Sequence, residues 1–292
     1  MIEFPPSFDI QYYRNAYPEL QMLSDDVITE HWKRYAKEQG HSTCTYDRRE
    51  YLALMLKKLN DENDIDVLEL GPFDSPFCSG KNVKYFDVLN ADGLRKRAKE
   101  VGRNGIVPKH IDYVSPTGDL TIIDQKFDIV FSSHVIEHQP DFIKHLQLIE
   151  GMLKDEGLYI LLIPDKRYCF DYYLPASSLS SIMTAFVEKH TVHSFKSLME
   201  HRCMTTHNVP FLHWLGEHGS QTIDHDSFTK CLDEYMASNG KYIDVHAWQF
   251  TPDSFAYIIE TLHQLNIINL SLYRICNTIW GRPEFCSVLR KT

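Results

Sequence analysis

Leu158-Tyr159-Ile160-Leu161-Leu162-Ile163 is a nearly continuous apolar run, introduced by Asp155-Glu156-Gly157 and closed by Pro164-Asp165. A run without polar alternation suits a central parallel strand covered on both faces. Working back from it, Phe127-Asp128-Ile129-Val130-Phe131-Ser132 is a second strand, and the stretch from Pro140 to Met152 is the helix between the two. Ile65 to Leu70 reads as a strand ending at Gly71-Pro72, and Val83 to Asp87 as a strand ending on an acid. Before them, Tyr46 to Leu59 places Tyr51, Leu52, Met55, Leu56 and Leu59 on one helical face. Towards the end, Thr251-Pro252 opens a helix to Leu265. Strands from Leu270 to Ile275 and from Glu284 to Leu289 follow, joined through Trp280-Gly281-Arg282-Pro283. This alternation predicts an α/β fold: a doubly wound, mostly parallel seven-stranded sheet, closed by an antiparallel C-terminal strand at its edge.

The composition narrows the function. The chain has 292 residues, 43% of them hydrophobic, with 30 basic and 40 acidic side chains for a net charge of −10. No basic cluster offers the stripe that phosphate backbones require, so no nucleic-acid partner is expected. Met1-Ile2-Glu3-Phe4-Pro5-Pro6 lacks the basic and apolar regions of a signal peptide. No apolar run approaches the roughly 18 to 20 residues that span a bilayer, so no transmembrane segment is expected. Seven cysteines without a CxxC pattern read as reduced thiols, and the expected location is cytoplasmic. Three regions result: a short, aromatic N-terminal helical module over 1–45, a main domain over 46–292, and within it a lid insertion over 165–250 where the strand–helix rhythm is lost.

Ligands of open α/β sheets sit at the carboxyl ends of the strands. The residues there are Glu69-Leu70-Gly71-Pro72, Asp87, Asp112, Ser133-His134 and Pro164-Asp165. A dinucleotide fold needs a Gly-rich turn running straight into a helix that holds the pyrophosphate. Only Gly71 to Asn82 separates the first two strands, with prolines at 72 and 76, which leaves no room for one. S-adenosylmethionine carries no phosphate; it needs a close-approach glycine, an acid for the ribose hydroxyls and a polar rim.

With Glu69-Leu70-Gly71-Pro72, Tyr85-Phe86-Asp87, Ser133-His134-Val135-Ile136-Glu137-His138 and Ile163-Pro164-Asp165-Lys166-Arg167-Tyr168, residues 65–164 resemble a class I S-adenosylmethionine-dependent methyltransferase, in particular a bacterial subgroup associated with surface-polysaccharide synthesis. The resemblance implies a Rossmann-like methyltransferase with cofactor contacts from Glu69, Gly71, Pro72, Asp87, Asp112, Ser133 and His134. Gly71 would let the backbone approach the cofactor, Asp87 bind the ribose, Asp112 lie near adenine, and Ser133 and His134 line the methionine end. The first motif departs from E-x-G-x-G-x-G, since Phe73 and Ser75 replace the later glycines. Phe8-Asp9-Ile10-Gln11-Tyr12-Tyr13, Tyr17-Pro18-Glu19-Leu20 and His31-Trp32 to Gly40 resemble a helical module found beside bacterial glycosyltransferases, which implies glycan-assembly enzymes as partners; a plain helical cap is the alternative.

Methyl transfer from a sulfonium is an in-line displacement, so the protein mainly positions the reactants. A sugar hydroxyl also needs a base or a metal to remove its proton. His134, Glu137 and His138 stand at i, i+3 and i+4, one face of a helix if the strand becomes helical near Val135. The trio is similar to one that holds a divalent metal in some small-RNA and ubiquinone-pathway O-methyltransferases, whereas V-I-E-H also recurs in metal-free class I enzymes. A metal such as magnesium on His134, Glu137 and His138, and a metal-free base at His134 or His138, therefore both stay open. The lid holds eight of the fifteen histidines, including His207, His213 and His246, and one of them, His246 among the catalytic candidates, would complete the site. Asp165, with Lys166 and Arg167, is placed for the acceptor, and Tyr168, Tyr172, Tyr173, Trp214 and Trp248 would either stack on sugars or pack internally. The expected function is O-methylation of a sugar hydroxyl on a surface glycan or its precursor. The alternatives are a quinone- or phenol-type small-molecule acceptor, or a non-catalytic methyltransferase-like binding module.

Overall fold

A computed structural model describes Ile10, Arg14, residues 20–31, Leu56, residues 64–221 and residues 223–292. The helix expected over 46–59 and most of the 1–45 module lie outside the described residues. Within that module, α1 (Asp25–His31) follows Ser24, whose carbonyl accepts from the Ile28 N–H, and buries Ile28.

Seven strands form one sheet: β1 (Val67–Leu70), β2 (Val83–Asp87), β3 (Tyr113–Val114), β4 (Phe127–Ser133), β5 (Leu153–Pro164), β6 (Leu270–Cys276) and β7 (Glu284–Lys291), in the order β3-β2-β1-β4-β5-β7-β6. The pairs among β1 to β5 are parallel, and β7 is antiparallel to both β5 and β6. The C-terminal strand pair thus closes the sheet with an antiparallel edge, as expected, with β7 beside β5 and β6 outermost. Burial explains which of the two lies inside. Phe285, Cys286, Val288 and Leu289 of β7 are buried against the core run of β5, with Ile160 opposite Val288 and Leu162 opposite Cys286. The less buried β6 is left as the outer strand, where unpaired backbone groups reach water.

Among the helices, α2 (Ala91–Glu100) lies between β2 and β3; it was not evident in the sequence because only Leu94 and Ala98, one turn apart, are buried on an otherwise charged surface. Next, α3 (Phe142–Met152) follows β4, with Asp141 accepting from the Lys144 N–H as its cap. Residues 165–251 leave the sheet and return, carrying α4 (Leu179–Val187), α5 (Phe195–Cys203), α6 (Pro210–Trp214) and α7 (His225–Ser238). Then α8 (Pro252–Gln264) starts on a reciprocal Thr251–Ser254 capping box and leads to β6.

The two ends of the inserted segment are tied to each other, and its middle to the connection between β6 and β7. Lys166 N–H donates to the Phe250 carbonyl at 2.9 Å, Ser177 N–H to Gln249 at 2.9 Å, and Trp214 Nε1–H to the Arg282 carbonyl at 3.0 Å. Beneath it, fully buried Phe142 meets Trp248, Phe250 and Phe255 with ring centroids 6.4, 5.5 and 6.1 Å away. Among the described residues no helix is long and apolar enough to cross a membrane. Because Phe142 joins α3, α8 and the returning segment, Phe142→Ala is expected to lower the unfolding free energy by about 3–5 kcal/mol in urea titrations.

Candidate functional site

The strand order reverses at β1, whose neighbours are β2 and β4, and the crevice for a ligand opens where the two directions diverge. Gly71 stands at that point with φ +66°, and a Cβ there would come within 3.1 Å of the Val135 side chain. A left-handed backbone and a close neighbour thus both call for glycine. The loop that follows is shaped by Glu69, which is buried: its Oε1 accepts from the Phe77 N–H at 2.8 Å and its Oε2 from the Cys78 N–H at 2.7 Å.

Asp87 ends β2, buried, with Oδ1 accepting from the Val88 N–H at 2.7 Å. Burial raises its pKa above the ordinary aspartate value, against the backbone N–H groups of Leu89, Val88 and Phe73. Val88 and Leu89 directly after it are 44% and 37% exposed, an apolar surface beside the acid. Asp112 is elsewhere. It precedes β3, at the end of the strand away from the rim, where its Oδ2 accepts from the Tyr85 N–H at 2.9 Å. Asp87 pairs with Val114, so the rim position on β3 belongs to the residues after Val114, among them buried Ser115.

At the end of β4 the chain turns abruptly. His134 has φ +55°, and Ile136–His138 form a single 3₁₀ turn where the spacing had suggested an α-helix. His134 lies outside that turn, yet its Nδ1 still comes within 3.6 Å of the Glu137 carboxylate. The Glu137 carbonyl accepts from the N–H groups of Ala247 (2.7 Å) and Trp248 (3.2 Å), which brings His246 to the same place. Around Glu137 Oε1 lie His134 Nδ1 at 3.6 Å, His138 Nε2 at 3.8 Å and His246 Nε2 at 3.9 Å. Glu137 is 1% exposed, and neither carboxylate oxygen receives a hydrogen bond.

Each of these imidazoles has an acid on its other nitrogen. His134 Nε2 is 2.7 Å from Glu284, His138 Nδ1 2.9 Å from Asp244, and His246 Nδ1 2.6 Å from Asp171. Burial drives the His246 pKa down to about 3 and that of Asp171 up to about 7. Burial also opposes charge on His138, but Asp244 and Glu137 outweigh it and hold that imidazole above its usual value. His138 in return holds Asp244 below the carboxylate range.

A family model described as a methyltransferase domain matches residues 28–235. The chain belongs to that family. The sheet order makes this methyltransferase one of class I, the class that takes its methyl group from S-adenosylmethionine. In three dimensions it is similar to an S-adenosylmethionine-dependent methyltransferase from Clostridium acetobutylicum (10% identity, 91% of this chain and 98% of that one, TM-score 0.41). It is also similar to the magnesium protoporphyrin IX methyltransferase of Synechocystis with bound SAH (10%, 92% and 100%, TM-score 0.38). A third is the 1,6-didemethyltoxoflavin-N1-methyltransferase of Burkholderia thailandensis (12%, 99% and 93%, TM-score 0.44). No curated protein matches the chain in sequence.

Within the methyltransferase, the other sequence candidates take distinct places. Asp165 is fully buried; its carboxylate receives Arg167 Nε–H at 2.9 Å, Arg167 NH2 at 2.6 Å and the Thr278 hydroxyl at 2.5 Å. It ties β5 to the β6–β7 connection and offers no open face to an acceptor. Tyr168 and Trp214 stack on each other, centroids 3.7 Å apart, and Tyr172 stacks on His218 at 3.6 Å. Trp248 is buried and donates to the Gln139 carbonyl at 2.6 Å. These four pack internally, and Tyr173 is spent on the Gly219 carbonyl. His207 and His213 stack on each other, and His213 meets His218, as a separate cluster within the insertion. Asp171, Asp244 and Glu284 were missed. The only sequence signal was the closeness of Asp244 to His246; Asp171 and Glu284 come from segments far from β4. Glu69→Ala would leave two buried N–H groups without acceptors and is expected to lower stability by about 1–3 kcal/mol for each, read by chemical denaturation.

Proposed function

We propose that this methyltransferase transfers a methyl group to a hydroxyl oxygen, in the favoured reading that of a sugar in a surface glycan or its precursor. The observation that carries the reading is the cluster of imidazoles around Glu137 beside the sheet's switch point. An amine with a free lone pair needs little help to attack a sulfonium, whereas a hydroxyl must lose its proton, and paired imidazole–carboxylate groups serve that need. On the donor side, Gly71 and Pro72 give the cofactor its close approach, Asp87 accepts from the ribose hydroxyls, and Ser133 and His134 line the methionine end. The apolar Val88–Leu89 surface is the seat of adenine, in place of Asp112.

S-adenosylmethionine supplies a methyl group on a positively charged sulfur. With Nε2–H donating to Glu284, His134 turns the lone pair of Nδ1 into the site, and it takes the hydroxyl proton as the oxygen attacks. The new O–CH3 bond forms while the C–S bonding pair stays on sulfur as a thioether, and the imidazole leaves the step protonated. Glu284 holds the imidazole in that tautomer. A divalent cation in the same cluster would assist by acidifying the bound hydroxyl.

The acceptor side favours a polar substrate. A groove of about 230 Å³ flanks the Glu137 turn, and Ser181, Thr184, His190, Ser194, Lys196 and Trp248 are among its walls. Pro140, Ala185, Val192 and Ala247 line it as well, so the groove pairs an apolar floor with hydroxyls, an imidazole and a lysine that a sugar's hydroxyls could meet. The subgroup resemblance supports the same choice, and the N-terminal module would then serve assembly with glycan-building enzymes.

Calorimetry is expected to show S-adenosylmethionine binding that Asp87→Ala weakens at least about tenfold; no binding by the wild-type chain would reject the proposal. Because burial raises the Asp87 pKa, its carboxylate protonates at a higher pH than an ordinary aspartate. Donor affinity should therefore fall on acidification through that raised value, and Asp87→Asn should bind weakly with no such slope. Labelled methyl transfer to a panel of polysaccharides, nucleotide sugars and phenols identifies the acceptor. Glu284→Gln should lower kcat by about 10²-fold or more with little change in donor affinity; activity on an amine alone would overturn the oxygen reading.

A further inference from the structure

We propose that Glu137, His138 and His246 bind a divalent transition-type cation, of the zinc, cobalt or manganese kind, and that Asp244 and Asp171 are its positioning residues. The inference rests on the oxygen-acceptor reading for the ion's task, whereas the site rests on the residues themselves. One oxygen of Glu137 and one nitrogen from each of His138 and His246 lie within 4.8 Å of one another. A carboxyl group that is 1% exposed and receives no hydrogen bond is costly to bury unless a partner of opposite charge meets it. Both imidazoles present Nε2 to that oxygen, at 3.8 and 3.9 Å, too far for hydrogen bonds and about the spacing of donors around a shared ion.

The far nitrogens make the stronger argument. Metal-binding histidines almost always give the other ring N–H to a carboxylate, which sets the tautomer and leaves the near nitrogen as a lone-pair donor. His246 has this arrangement, hydrogen-bonded through Nδ1 to buried Asp171 at 2.6 Å, and His138 has Asp244 beside its Nδ1 at 2.9 Å as an ion pair. Two such pairs, contributed by opposite ends of the insertion and aimed at one orphaned carboxylate, form a prepared donor set.

Its composition selects the ion. Magnesium asks for near-octahedral oxygen donors and calcium for more oxygens still, whereas two imidazoles and one carboxylate suit zinc, cobalt or manganese. Three protein donors leave positions open, as in catalytic and unlike structural zinc sites. The fourth side faces His134, whose Nδ1 is 3.6 Å from Glu137 Oε1 and which is the most exposed of the three imidazoles. A hydroxyl entering there would meet the ion and the base together.

The test uses the full-length protein stripped with a chelator and titrated with Co²⁺, read by visible absorption, then with Zn²⁺ in competition and with Mg²⁺ alone. One Co²⁺ per chain is expected, displaced by Zn²⁺ and not by Mg²⁺. Asp171→Asn should weaken binding about 10- to 100-fold, and Glu137→Gln and His246→Gln should abolish it. Circular dichroism and S-adenosylmethionine calorimetry on each variant show that it is folded, and they read the methyltransferase assignment independently of the ion. No Co²⁺ or Zn²⁺ binding would assign the space to ordered water and overturn the proposal. So would binding unchanged in Glu137→Gln, or binding lost only in a His213→Gln, His218→Gln protein, which would place the ion in the other histidine cluster.

Discussion

The reversal at His134 is the constraint from which the site follows. A histidine with φ +55° at the end of a central strand is strained. It persists because both sides of the turn are held: the His134 N–H donates to the Leu162 carbonyl on β5, and the Glu137 carbonyl collects the Ala247 and Trp248 N–H groups. A helix continuing smoothly from β4 would place Glu137 differently and would give the returning segment nothing to bond. One local departure from regular geometry thus decides where the carboxylate is buried and which histidine of the insertion meets it.

The electrostatic arrangement is the reverse of what stability alone would select. Glu137 and Asp171 are both almost fully buried, and the groups beside them are imidazoles, of which burial keeps His246 neutral near pH 7. Replacing such a cluster by apolar side chains usually costs a protein nothing and often stabilises it. Elsewhere the core obeys ordinary packing: Phe127, Phe131, Phe142 and Phe255 are fully buried, and a buried polar chain, Ser132–Tyr159–His145, is closed by hydrogen bonds of 2.8 and 3.0 Å. A carboxylate with both oxygens unsatisfied among three imidazoles at the sheet's switch point marks that cluster as a place suited to chemistry.

Much of the scaffold was legible because it obeys simple periodicities. The runs at 127–132 and 158–163 are largely apolar because residues on both faces of the sheet are buried, and Thr251-Pro252 starts α8 where a cap and an N1 proline predict. What failed did so for identifiable reasons. The polar α2 shows two buried positions only, below what a pattern can reveal. Asp112 looked like a rim acid because it precedes a strand only two residues long, and nothing local told which end of that strand it occupied. The aromatics of the insertion offered surfaces for a sugar, but Tyr168 and Trp214 cover each other.

By itself the sequence determined the alternation of strands and helices, the glycine at the switch point and the acid closing β2, since each of these depends on neighbours a few residues away. Which histidine joins Glu137, which acids stand behind the imidazoles, and that Asp165 meets the Thr278 hydroxyl were decided by tertiary structure alone. Those contacts join positions such as 134 and 284, or 171 and 246. Side chains separated by so much chain meet only through the register of β5 with β7 and the path of the inserted segment, and no local spacing records either.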